Sequence, residues 1–184
     1  EPNGSSAWAA LLRVHAALVP RLDRELRSAV GMPLAWYDVL LELHNAPGRQ
    51  LRMSDLGERV VLSRTRVSRV VDELVAAGLV RREVNPEDGR SALATVPDAG
   101  LGRLRAAAPV YLDGIDRHVT RHLTVRERES IVRGLNRVLA AEPMVAIAGH
   151  HADVVVLDAH DRHVERAATE IENEDGLIRL EFVE

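Results

Sequence analysis

Residues 52–97 limit what this chain can fold into more than any other stretch. Leu56 and Val60 stand four apart and mark one face of a short helix over 53–60. Leu62 and Ser63 interrupt it, and Ser63 has the side chain of an N-cap. Val67, Val70, Val71 and Leu74 then recur at helical spacing, which predicts a buried stripe along a helix over 63–77. Thr65, Arg66, Ser68, Arg69 and Asp72 fall on the opposite face. Gly78 suits the left-handed residue that ends a helix. Leu79-Val80 opens a strand, Asn85-Pro86-Glu87-Asp88-Gly89 is turn chemistry, and residues 91–96 return as a second strand. Helix, turn, helix and hairpin in that order spell a winged helix-turn-helix, mainly α with a two-stranded wing.

Three segments carry a family resemblance. Val67-Ser68-Arg69-Val70-Val71-Asp72-Glu73-Leu74, Gly78-Leu79-Val80-Arg81-Arg82 and Asn85-Pro86-Glu87-Asp88-Gly89-Arg90 closely resemble the MarR family of bacterial transcription regulators. The Asp88-x-Arg90 wing signature, at this distance after Gly-Leu-Val, is the most specific of these marks. The resemblance covers roughly residues 8–141. There is one departure. Where the family resumes after the wing with Leu-Thr-x-x-Gly, this chain has Val96-Pro97-Asp98-Ala99-Gly100. Pro97 and Asp98 still favour a helix start, so the expected change is confined to the exit from the wing.

The flanks read as helices. Residues 8–30 carry Leu11, Leu12, His15, Leu18, Leu22 and Leu26 at helical spacing, with Pro20 as a point of kinking or division and Gly31 as the end. A second helix starts at Pro33-Leu34, turns Trp36, Val39, Leu40 and Leu43 inward, and stops near Asn45-Ala46-Pro47-Gly48. Residues 98–122 form a long helix through Leu101, Leu104, Ala108, Leu112 and Ile115. Thr124-x-x-Glu127 is a capping box that opens a last helix to 141, with Ile131, Leu135 and Val138 on one face. The terminal helices are more apolar than a monomer of this size needs. The resemblance implies that they interlock in a symmetric homodimer, and helix-turn-helix readers of DNA commonly act as dimers on paired half-sites.

Charge divides the chain into a winged domain, 1–142, and an acidic C-terminal extension, 143–184. The domain comprises a DNA-binding lobe over 49–97 and dimerisation helices over 8–30 and 98–141. All 24 basic residues are Arg. The first 142 residues hold 21 Arg against 18 acids, and the last 42 hold 3 Arg against 10 acids. Any affinity for nucleic acid therefore belongs to the first part, and the tail opposes it. The absence of Cys excludes disulfides, thiolate metal sites and a peroxide-sensing thiol. No apolar run approaches a membrane span and no signal-peptide pattern is visible, so the chain reads as soluble and cytoplasmic.

The residues expected to carry function lie on the second helix of the motif and on the wing. Thr65 and Ser68 are short enough to reach bases or phosphates. Arg66 and Arg69 can fork onto guanine or clamp phosphate. Ser63 starts the helix, whose free N–H groups can themselves bind a phosphate. Arg90 at the wing would enter a narrow A·T-rich minor groove. Asp88 would stabilise the wing, by holding Arg90 or another Arg, because a carboxylate is repelled by phosphate. Arg82 matches the Arg that follows Gly-Leu-Val in the family and is expected to be structural or a phosphate contact. The partner implied is double-stranded DNA. The alternative is a winged-helix interaction module whose Arg-rich face meets an acidic protein.

The resemblance also implies a small aromatic or phenolic effector bound between the first, second and fifth helices. Candidates are Arg13, His15, Trp36, Tyr37, His44 and Arg117: the aromatic rings could stack on the ligand, and an Arg could pair with its carboxylate. The competing reading is that Trp36 is core and Tyr37 a surface anchor. In the tail, His150-His151-x-Asp153 and Asp158-x-His160-Asp161-x-His163 combine imidazole with carboxylate, but no ligand quartet has a recognised spacing, so no metal or cofactor is assigned. Residues 154–157 and 177–183 read as strands, with Asn173-Glu174-Asp175-Gly176 as a turn. No nucleophile elbow, phosphate loop or paired acid and base points to an enzyme. The expected function is a ligand-responsive repressor, a homodimer on a pseudo-palindromic operator.

Overall fold

The computed structural model of this chain describes residues 4–141 apart from Val61 and Glu87, and further on two short paired strands. Helix α1 (Gly4–Val30) runs through Pro20 as one element and ends at Gly31, whose φ is +63°. Only its last turns are covered: Leu22 and Leu26 are buried. Leu22 packs on α5 (Asp98–His118) at Gly114, where a Cβ would lie 2.7 Å from Leu22 Cδ2 and 3.1 Å from Glu25 Oε2. Glycine is what permits so close a crossing. Arg103 of α5 donates to the Val30 carbonyl at 2.8 Å and so satisfies the open end of α1.

Helix α2 (Leu34–Asn45) is the centre of the core. Tyr37, Val39, Leu40 and Leu43 are fully buried on it. Each such side chain contributes ~1.5–3 kcal/mol through the apolar area it removes from water. The residues expected to face inward are confirmed for Val39, Leu40 and Leu43, but Trp36 and Tyr37 are exchanged. Trp36 is half-buried, whereas Tyr37 is inside, its ring 4.6 Å from that of Tyr111. One residue along a helix turns the side chain by about 100°, and the apolar stripe selects Tyr37.

A turn through Gly48 and Arg49, both with positive φ, leads into β1 (Gln50–Arg52). Helix α3 (Met53–Arg59) and helix α4 (Arg64–Ala76) follow. Then come β2 (Arg81–Asn85) and β3 (Asp88–Thr95). The wing expected with two strands is the larger part of a three-stranded antiparallel sheet in the order β1-β3-β2, because Leu51 pairs with Ala94 on the free edge of β3. The first wing strand also begins two residues later than expected: Leu79 and Val80 are buried in the core ahead of it.

Gly100 explains why the altered wing exit keeps its glycine. A Cβ there would overlap the Leu79 carbonyl and lie 2.7 Å from Val96 Cγ2. Helix α5 then runs through Pro109 and stops at His118, earlier than expected, and a 3₁₀ turn over Thr120–His122 follows. The capping box is formed: Glu127 Oε2 accepts from Thr124 N at 2.8 Å, and Thr124 Oγ1 accepts from Glu127 N at 3.3 Å. Helix α6 (Val125–Ala141) buries none of its residues. In the extension, β4 (Leu157–Asp158) pairs antiparallel with β5 (Leu177–Ile178). These fall at the edges of the two expected strands. The His and Asp residues noted in the tail lie outside the described residues, apart from the strand pairing of Asp158.

Candidate nucleic-acid interface

Helix α4 is held from behind and open in front. Ser63 caps it, accepting from Arg66 N at 3.4 Å. Val67, Val70, Val71 and Leu74 are buried against the core. Gly78 closes it at φ +72°, and Leu79 N returns to the Leu74 carbonyl at 2.9 Å. The opposite face presents Thr65, Arg66 and Arg69 to solvent, with Ser68 half-buried. The side chain of Arg69 is 82% exposed.

The wing is fastened to that helix. Arg82 Nη1 of β2 lies 2.8 Å from Asp72 Oδ1 of α4, an ion pair that links the two elements across ten residues. Its own stabilisation is small, ~0–1 kcal/mol, since both partners are exposed; what it fixes is direction. At the tip the register shifts between Val84 and Asn85, so that Gly89, Arg90 and Ser91 bulge from β3. Asp88 Oδ1 accepts from the backbone N–H of Arg90 at 3.1 Å. The Ser91 hydroxyl donates to the Asp88 carbonyl at 3.0 Å and accepts from Asn85 Nδ2 at 3.0 Å. Asp88 therefore holds the Arg90 main chain, and Arg90 stays exposed at the tip.

A second contact set lies on the side of α4 that faces the helical frame. Trp36 Nε1 donates to Glu73 Oε2 at 3.1 Å, and Glu73 Oε1 lies 3.4 Å from Arg69 Nε. These groups border a cavity of about 630 Å³ at the corner of α1 and α2, which Arg27, Pro33, Thr65, Arg66 and Val70 also line. Asp23 at that corner accepts from Leu34 N at 2.8 Å and pairs with Arg27 at 2.7 Å. Burial works to raise its carboxyl, but Arg27 and the Leu34 N–H hold it below the ordinary value. No signal in the sequence joins Trp36 to Glu73, which lie 37 positions apart.

The effector candidates are dispersed. The cavity takes in Trp36 and none of the other five. Arg13 and His15 stand on the exposed part of α1. Tyr37 is core, and burial raises its phenol well above the ordinary range; burial likewise pushes Tyr111 up to about 12. His44 is half-buried on α2, and burial followed by Arg49 and Arg105 lowers its pKa. Arg117 is tied to Glu25 at 3.2 Å and to Asp113 at 3.0 Å. Glu25 also meets His118 Nε2 at 2.8 Å, and that hydrogen bond first, then Arg117, keeps its carboxyl below the usual value. Among the described residues no three His, Cys, Asp or Glu side chains gather as a metal site, and no helix is long and apolar enough to cross a membrane.

A sequence profile described as the MarR family matches residues 30–91, from the last residue of α1 to the wing. A MarR family transcriptional regulator of Streptomyces coelicolor, solved in complex with DNA, is 33% identical over 72% of this chain and 82% of that one, with a TM-score of 0.67. The chain belongs to the MarR family. A MarR family member is a DNA-binding transcription regulator. Two further MarR regulators of Streptomyces coelicolor are 28% identical. AbsC is matched over 73% of this chain and 90% of its own, with a TM-score of 0.66. The other is matched over 74% and 93%, with a TM-score of 0.64. A second profile, described as NAD-specific glutamate dehydrogenase, matches residues 100–184. It spans less than half of the chain and runs through α5 and α6, which frame the winged unit, so it assigns no family. No curated protein matches the chain.

Proposed function

We propose that this MarR protein is a homodimeric repressor that reads a pseudo-palindromic operator, in the cytoplasm, and has no enzymatic activity. The observation that carries the reading is the exposed Thr65, Arg66 and Arg69 face of a capped helix, with Arg90 presented beside it on a wing pinned through Arg82 and Asp72. Ser63, Thr65 and Ser68 would meet phosphates or base edges, and Arg66 and Arg69 would read guanine. The homodimer is supported by apolar side chains left open on α1 and α6, among them Trp8 at 61% and Val138 at 60% exposure. A second copy covering those faces would set the spacing of the two reading helices.

A small aromatic or phenolic acid is the effector that suits the cavity between α4 and the corner of α1 and α2. Trp36 lines it with an aromatic ring, and Arg27 offers a cationic partner for a carboxylate. A ligand in that position would bias the separation of the reading helices and release the operator. The test is selection of genomic fragments by the purified protein, followed by binding to the selected duplex across a salt series. Sequence-selective, salt-dependent binding is expected. Binding to an acidic protein with no preference among duplexes would instead make the chain an interaction module.

A further inference from the structure

We propose that Trp36 and Glu73 are positioning residues that set the direction in which Arg69 presents its guanidinium to a base pair. This rests on the reading of α4 as the base-reading helix. An exposed Arg has many rotamers, and an isolated Arg–Glu pair one turn apart on a helix holds them only weakly. Arg69 is not in that situation. The carboxylate of Glu73 uses one oxygen for Arg69 Nε, at 3.4 Å, and the other for Trp36 Nε1, at 3.1 Å. Trp36 is itself half-buried and packed on the core from α2. The carboxylate is thereby referenced to the helical frame and not only to its own helix. Its contact with the guanidinium is through Nε, on the near edge. That leaves the end of the guanidinium, with its two terminal amino groups, to fork onto O6 and N7 of guanine. The arrangement preorganises a base-reading side chain by fixing the groups that support it.

The same geometry couples reading to the frame. A displacement of α2 relative to α4 would open the Trp36–Glu73 bond and let Arg69 lose its direction, while the phosphate contacts stayed in place. Specificity would then fall without a matching fall in general DNA affinity.

The experiment uses the full chain with a duplex selected from a random pool and an unselected duplex of equal length. Trp36→Phe keeps the ring and removes its N–H. Glu73→Ala, at an exposed position, guards against loss of folding in the first variant. Each is expected to lower the ratio of selected to unselected affinity by about tenfold, the low end of a forked base contact. Glu73→Ala, which removes a negative charge, should raise affinity for the unselected duplex. Neither should lower the ratio further in an Arg69→Ala background. If Arg69→Ala lowers the ratio but Trp36→Phe does not, the positioning role is wrong and the reading of α4 stands. If Arg69→Ala leaves the ratio intact, both fall. An equal loss on the two duplexes, or a loss that persists without Arg69, makes Trp36 a packing residue and overturns the proposal.

Discussion

Asp38 follows Tyr37 on α2, and burial, then the like charge of Glu42 one turn on, pushes its carboxyl up to about 7. A carboxyl whose folded value lies above the ordinary 3.8 binds its proton more tightly in the folded state. Its contribution to stability is therefore a penalty, absent below pH ~4, growing as the pH rises and complete above ~7. Asp38→Asn is expected to raise the unfolding temperature at pH 8 and to leave it nearly unchanged at pH 4, as read by thermal scans at both values. An equal shift at both pH values would show that packing and not ionisation decides the effect. The sequence showed an apolar face on this helix but set Trp36 inside and Tyr37 outside. The error is one residue of rotation. Both side chains are large and aromatic, so composition alone does not choose between them; the stripe of Leu34, Leu40 and Leu43 does, and Tyr37 meets the Tyr111 ring across the core.

Helix α4 was legible almost to the residue, because the signals that bound it are local: a Ser63 cap and a Gly78 end that needs positive φ. Strand β1 was not legible. Its three residues have no pattern of their own and become a strand only by pairing with β3, some forty positions on. The links from Arg82 to Asp72 and from Trp36 to Glu73 were invisible for the same reason. At the wing, the expectation that Asp88 holds Arg90 needs one refinement, since the acceptor takes the Arg90 backbone N–H. The guanidinium stays exposed, and a narrow A·T-rich groove would attract it. Arg90→Ala is expected to weaken operator binding and to abolish any preference for A·T pairs flanking the half-sites. Selection from a randomised flank library reads this directly, and an unaltered flank preference would take Arg90 out of the interface.

At the scale of the whole molecule, α1 ahead of Leu22 and all of α6 are helices without a covered face. Sedimentation at micromolar concentration is expected to find a dimer, and a monomer there would remove the paired-half-site reading. The extension adds charge of the opposite sign to the one DNA needs, carried twice in a dimer. Deletion after residue 142 is expected to leave a folded dimer that binds its operator at least as tightly at low salt. A truncated protein that unfolds, or loses more than about tenfold in affinity (~1.4 kcal/mol), would place the extension in the core or on the reading surface. The central claim is that α4 reads sequence, and the affinity of the full chain and of Arg69→Ala for a selected and an unselected duplex across a salt series tests it most directly. The wild-type chain should prefer the selected duplex by about 10³ or more. Arg69→Ala should cost ~1–3 kcal/mol per half-site on that duplex alone, with the salt slope unchanged. An equal loss on both duplexes, or no loss on either, would contradict the claim.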